Sequence, residues 1–137
     1  MMLVVDANSI IAAIIRNSEA RKIIVSDEFV LASPEFLVEE IEKYKTYLMK
    51  KSGLGKEELK LLITLLLKHI HILPHAEYEN KISEAKLLMV EDALDVPYVA
   101  VYLALKCDGI WTNDRHYENK EKIKVFKTEH ILKLLAQ

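Results

Sequence analysis

The sequence predicts an α/β fold, a three-layer α/β/α sandwich with a mostly parallel central sheet of about five strands and an inserted helical hairpin. Three observations predict it. Short apolar runs recur at residues 3–5, 29–32, 70–73, 110–112 and 125–126. Longer segments of helical periodicity separate them, so strand and helix alternate. The chain is 137 residues long and 51% hydrophobic, enough for one domain, 1–137, to bury a core without metals or disulfides holding it together.

The elements follow in order. Residues 3–5 form a strand, and the helix 9–15 after it takes Asp6 or Asn8 as a natural cap. After the strand at 29–32, Ser33 and Pro34 read as a cap and first turn, predicting one long helix from 34 to 51 that Gly53 stops. Residues 56–68 place Leu59, Leu62, Ile63, Leu66 and Leu67 on one stripe, with Lys56, Lys60 and Lys68 elsewhere. The Ser-Gly-Leu-Gly turn at 52–55 joins these two helices into the hairpin. The strand 70–73 leads to a helix at 78–90. Residues 96–106 are apolar almost all round, the pattern of a buried helix, with Pro97 in the first turn and Gly109 just past the end. The strands 110–112 and 125–126 follow, and Thr128 caps a last helix.

Composition excludes several classes. A single cysteine, Cys107, permits neither an internal disulfide nor a cysteine zinc motif, and it suits a reducing cytoplasm. Asp6 interrupts a short apolar start, so no signal peptide is expected, and the longest apolar stretches are too short to span a membrane. With three glycines, the chain has neither a Walker phosphate loop nor a dinucleotide-binding fingerprint. His69, His71 and His75 lie around one strand but lack the supporting groups of a zinc site. A receiver domain of similar alternation would need an aspartate ending its middle strand, and residues 69–74 contain none. The net charge of −2 decides nothing about nucleic acid, because global charge hides its distribution.

Four carboxylates stand where an open parallel sheet presents chemistry, outside the carboxyl ends of its strands. Asp6 ends the first strand, and Asp114 follows Ile110-Trp111-Thr112-Asn113. Among Glu39, Glu40 and Glu42, only Glu40 borders the interior: at ~100° per residue it lies roughly 70° from the stripe of Leu37, Ile41, Tyr44 and Leu48. Asp95 opens the buried helix and ranks above Asp92. Each acid has an ordinary alternative as a cap, turn residue or boundary glutamate. Jointly they propose a divalent-metal site, since gathered carboxylates repel one another until a cation holds them. Asn8, Thr112, Asn113 and Asp92 are the surrounding groups, with the Thr112 hydroxyl suited to orient a carboxylate or a water.

These residues resemble the PIN-domain ribonucleases, including VapC-like toxins and related small prokaryotic proteins. The resemblance runs through Val4-Val5-Asp6-Ala7-Asn8, residues 34–41 with Glu40-Ile41, Asp95-Val96-Pro97-Tyr98-Val99-Ala100 and Ile110-Trp111-Thr112-Asn113-Asp114. It implies a metal-dependent endoribonuclease whose acidic quartet is Asp6, Glu40, Asp95 and Asp114, using Mg²⁺ or Mn²⁺. Asp6 would be the central ligand, Asp95 and Asp114 would complete the shell, and Glu40 would hold an attacking water or a second ion. The family often has a further acid shortly after the fourth, and here Arg115, His116 and Tyr117 fill that stretch. The resemblance also implies an RNA substrate, a homodimer and, for many members, a protein antitoxin. A silent PIN-like module that binds RNA or protein without cutting is the alternative, and metal-dependent turnover separates the two. Lys43, Lys45, Lys50, Lys51, Lys56 and Lys60 on the hairpin are candidates for an RNA track, with Tyr44, Tyr47, Tyr98, Tyr102 and Tyr117 as candidate stacking rings.

Overall fold

A computed structural model describes residues 1–89, 92–118 and 120–137. Its five strands, β1 (Met2–Val5), β2 (Val30–Pro34), β3 (Ile70–Leu73), β4 (Gly109–Trp111) and β5 (Val125–Phe126), pair in the order β3-β2-β1-β4-β5. Every pairing is parallel, so each connection must cross over a face of the sheet. The result is the expected three-layer α/β/α arrangement. Leu3, Val4 and Val5 are fully buried, as a central strand covered on both faces requires.

The order reverses direction at β1. The chain moves outward through β2 and β3, then returns to lay β4 on the other side of β1. Such a switch point opens a crevice at the strand ends. The Asp6 amide donates to the Trp111 carbonyl at 3.1 Å, so β1 and β4 end together there.

Eight α-helices surround the sheet among the described residues: α1 (Ala7–Ile15), α2 (Glu19–Val25), α3 (Phe36–Lys43), α4 (Lys45–Ser52), α5 (Lys56–Leu67), α6 (Ile82–Leu88), α7 (Val96–Ala104) and α8 (Thr128–Leu135). The buried helix α7 packs on β1, β2 and β4, with α6 against it, while α1 packs against α2, α4 and α5.

Several boundaries differ from the sequence reading. Ser33 and Pro34 belong to β2 and start no helix. Ser33 donates its hydroxyl to the Val5 carbonyl at 2.6 Å, and Pro34 pairs with Leu73. The missing proline N–H costs nothing there, because β1 pairs with β2 only as far as Ala32 and the next amide, Glu35, donates to the Leu73 carbonyl. The expected long helix is broken at Tyr44 into α3 and α4. Gly53 does end the second piece, in the left-handed conformation at φ 74°. The helix α2, only seven residues, was not anticipated. The segment expected to be helical from 78 begins as a 3₁₀ turn before α6, and its predicted end at Val90 lies outside the described residues.

At the end of α7 the left-handed residue is Lys106, at φ 51°, while Gly109 starts β4. A Cβ on Gly109 would lie 2.5 Å from the Phe126 ring, so close packing of β5 explains that glycine. Thr128 is the first residue of α8, and its own amide is taken by Asn113 Oδ1 at 3.0 Å.

Candidate functional site

Asp6 occupies the cap position of α1 but makes no capping bond. Its Oδ2 instead accepts a 2.7 Å hydrogen bond from Thr112 Oγ1, just past the end of β4. The same Thr112 oxygen accepts from the Asp114 amide at 3.0 Å. One buried hydroxyl therefore fixes the relation between two of the expected acids.

Asp95 ends a 3₁₀ turn at Ala93–Asp95 and precedes α7. Only 6% exposed, it lies beside Asp6, itself 4% exposed. Burial pushes the carboxyl of Asp6 up to about 6; the Thr112 bond opposes this, and the charges of Asp95 and Asp114 add to it. Asp95 is likewise pushed up to about 6, chiefly by burial, with the His116 bond opposing and Asp92 and Asp114 reinforcing. Two buried acids that disfavour each other's charge are the arrangement a cation relieves.

Glu40 faces this group from α3. Tyr98, buried in α7, donates its hydroxyl to Glu40 Oε1 at 2.5 Å and stacks edge-on against Phe36. Burial raises the Glu40 pKa, against the lowering effects of the Tyr98 bond and of Lys43. The Tyr98 hydroxyl is in turn held protonated far above its usual range by burial and by Glu40.

Asp6, Glu40, Asp95 and Asp114 line one cleft of about 310 Å³, with Asp92 and Asn8 also at its walls. The geometry thus brings the whole quartet together. Asn113 turns away: its amide nitrogen donates to Thr128 Oγ1 at 3.1 Å, so it ties β4 to α8 instead of supporting the acids. Asp92 is more engaged than expected. Its Oδ1 accepts from the Leu94 amide at 2.9 Å, and its Oδ2 lies 3.1 Å from His116 Nδ1.

His116 was not singled out from the sequence. Its Nδ1 lies 3.1 Å from Asp95 Oδ2 and 3.4 Å from Asp114 Oδ1. The 3₁₀ turn Arg115–Tyr117 places it there, held by the His116 amide donating to Asp114 Oδ1 at 2.9 Å. The bond to Asp95 and the nearby acid charges raise its pKa. The next residue, Tyr117, is 2% exposed, and its hydroxyl has no hydrogen-bond partner among the described residues. Burial and the charges of Asp6, Asp95 and Asp114 keep that hydroxyl protonated. The only available signal was spacing, since a short turn after Asp114 returns its side chains toward Asp114.

At the mouth of the cleft stand Tyr44 and Tyr47, 39% and 47% exposed. Tyr44 was expected in the core stripe. The break at that residue rotates it outward, while Leu37, Ile41 and Leu48 remain buried. Lys43 Nζ lies 5.7 Å from the Tyr44 ring centre, and Lys51 Nζ lies 5.9 Å from that of Tyr47. Of the histidines around β3, His69 pairs with Asp27, and His71 and His75 are exposed.

The PIN domain family model matches residues 4–134. The chain belongs to the PIN-domain family. Its fold is similar to that of a chain in the crystal structure of VapBC2 from Rickettsia felis bound to a DNA fragment from their promoter. The TM-score is 0.70 over 93% of this chain and 98% of that one, at 14% identity, a likeness of fold. No curated protein sequence matches this PIN domain significantly. Among its described residues, no helix is long and apolar enough to cross a membrane.

Proposed function

We propose that this PIN domain is a divalent-metal-dependent endoribonuclease, with Asp6, Asp95 and Asp114 as metal ligands and Glu40 as the group that orients the attacking water. The observation that carries the reading is the gathering of four carboxylates, two of them buried and mutually repelling, at the switch point of a parallel sheet. An all-oxygen donor set of this charge fits a hard cation such as Mg²⁺ or Mn²⁺. When bound there, such an ion supplies Lewis acidity that neutralises phosphate charge and makes water more acidic.

The chain's own residues divide the remaining work. Thr112 holds Asp6 in one orientation and fixes the backbone of Asp114. Tyr98 aims Glu40 by donating to one of its carboxylate oxygens. Tyr44 and Tyr47 offer faces to unpaired bases, and Lys43 and Lys51 beside them offer charge to the backbone, which favours single-stranded RNA as substrate.

The finer form of the reading is the toxin of a toxin–antitoxin pair, acting in the cytoplasm as a homodimer. Fold likeness to a chain of a VapBC complex supports it, and Val38, Leu61 and Leu65 expose apolar surface for protein contact. The test is cleavage of an end-labelled RNA with Mn²⁺, repeated with 2′-deoxy linkages at the mapped cleavage sites. Hydrolysis by water continues on the deoxy linkages. Cleavage that stops there would instead require the 2′-hydroxyl as nucleophile and would contradict the assignment.

A further inference from the structure

We propose that His116 is itself a metal ligand, and that it converts the acid cluster into a mixed nitrogen and oxygen site that favours a divalent transition ion over Mg²⁺. The inference rests on the metal-centre reading above and concerns which ion the centre selects. It begins with geometry. Ligand atoms from Asp92, Asp95 and His116 all lie within 4.8 Å of one another. Atoms bound about 2.1 Å from one ion stand roughly 3–4 Å apart, and the spacings of His116 Nδ1 to the Asp92, Asp95 and Asp114 oxygens, 3.1, 3.1 and 3.4 Å, fall in that range.

A ring that merely neutralised the acids would donate one Nδ1–H to one oxygen. Here three carboxylates converge on the same nitrogen, and a single proton cannot satisfy them. Tyr117 adds a second, independent observation. Its hydroxyl is buried among the charges of Asp6, Asp95 and Asp114 and makes no well-formed hydrogen bond among the described residues, so its proton is left to donate to an occupant of the cluster. A water or phosphate oxygen held by an ion would supply that acceptor. Both side chains belong to one 3₁₀ turn, locked to Asp114 by the His116 amide, so imidazole and hydroxyl are presented together.

The choice of ion follows from ligand chemistry. Mg²⁺ demands oxygen donors and gains little from imidazole, whereas Co²⁺, Ni²⁺ and Zn²⁺ accept the nitrogen readily. Replacing a carboxylate by imidazole also removes a negative charge, which costs Mg²⁺ more than an ion able to bond the ring.

Calorimetric titration of Co²⁺ and Mg²⁺ into the metal-stripped chain tests this without any RNA. His116→Ala is expected to weaken Co²⁺ binding at least tenfold while changing Mg²⁺ binding less than threefold. His116→Asp is expected to narrow the gap by strengthening Mg²⁺ relative to Co²⁺. In the Co²⁺ form, proton NMR should show a paramagnetically shifted, solvent-exchangeable ring N–H that is absent from His116→Ala. Melting of the metal-free variants controls for folding. Equal weakening of both ions by His116→Ala, with no shifted ring resonance in the parent, would overturn the inference and leave the metal centre standing. Failure of both ions to bind the parent chain would overturn the inference and the metal centre together.

Discussion

Thr112 and Asp6 are 106 residues apart in sequence and joined by a 2.7 Å hydrogen bond in the floor of the cleft. Because Thr112 also accepts from the Asp114 amide, its hydroxyl is where β1 and β4 become one site. Thr112→Val keeps the shape and removes that link. Losing a buried hydrogen-bonding group should cost about 1–3 kcal/mol of stability, and the Asp6 pKa should rise further. Urea unfolding gives the first, and carbon-detected NMR titration of the Asp6 carboxyl gives the second.

The Tyr98 to Glu40 bond makes a separable prediction. Tyr98→Phe preserves the edge-on contact with Phe36 while freeing the Glu40 carboxylate. Stability should fall by about 0.5–1.5 kcal/mol, and RNA turnover should fall roughly tenfold with RNA affinity unchanged. Binding measured in EDTA and single-turnover rates measured in Mn²⁺ separate the two effects.

Burial of Asp6 sets a pH dependence whose sign is opposite to that of a salt-bridged acid. The unfolded chain releases this proton near 3.8 and the folded chain near 6, so the folded state binds more protons between those values. In the metal-free protein, stability is fully present below about pH 4 and is lost as pH rises through 6. A shift of about two units corresponds to about 3 kcal/mol, reduced by coupling to Asp95. Asp6→Asn should therefore melt higher than the parent at pH 7.5 without metal. Mn²⁺ should raise the melting temperature of the parent and leave that of the variant nearly unchanged.

The rings at the mouth predict substrate class. Tyr44→Ala and Tyr47→Ala should each weaken binding of single-stranded RNA by about 1–3 kcal/mol, the scale of one stacked base. Binding of a blunt RNA duplex should change little. Fluorescence anisotropy in EDTA reads both.

The sheet and the quartet were legible because their signals are local. A short apolar strand followed by an acid, as in Val4-Val5-Asp6, names both the element and the end of the sheet it reaches. The rest depended on longer-range packing. Helical phase placed Tyr44 with Leu37 and Ile41, but a break at Tyr44 itself resets that phase and turns the ring to solvent. Pro34 resembled a helix start because only the pairing with β3 reveals that its amide is not needed. His116 carried no acid signature and no periodicity, and its importance appears only once the turn after Asp114 folds it against Asp92 and Asp95.

The account stands most directly on the single-turnover cleavage rate of an end-labelled single-stranded RNA, measured for the parent and Asp6→Asn in saturating Mn²⁺ and in EDTA. It predicts cutting that requires the ion and falls at least a hundredfold in a variant that remains folded. Equal cutting by the parent in EDTA, or by Asp6→Asn in Mn²⁺, would contradict it.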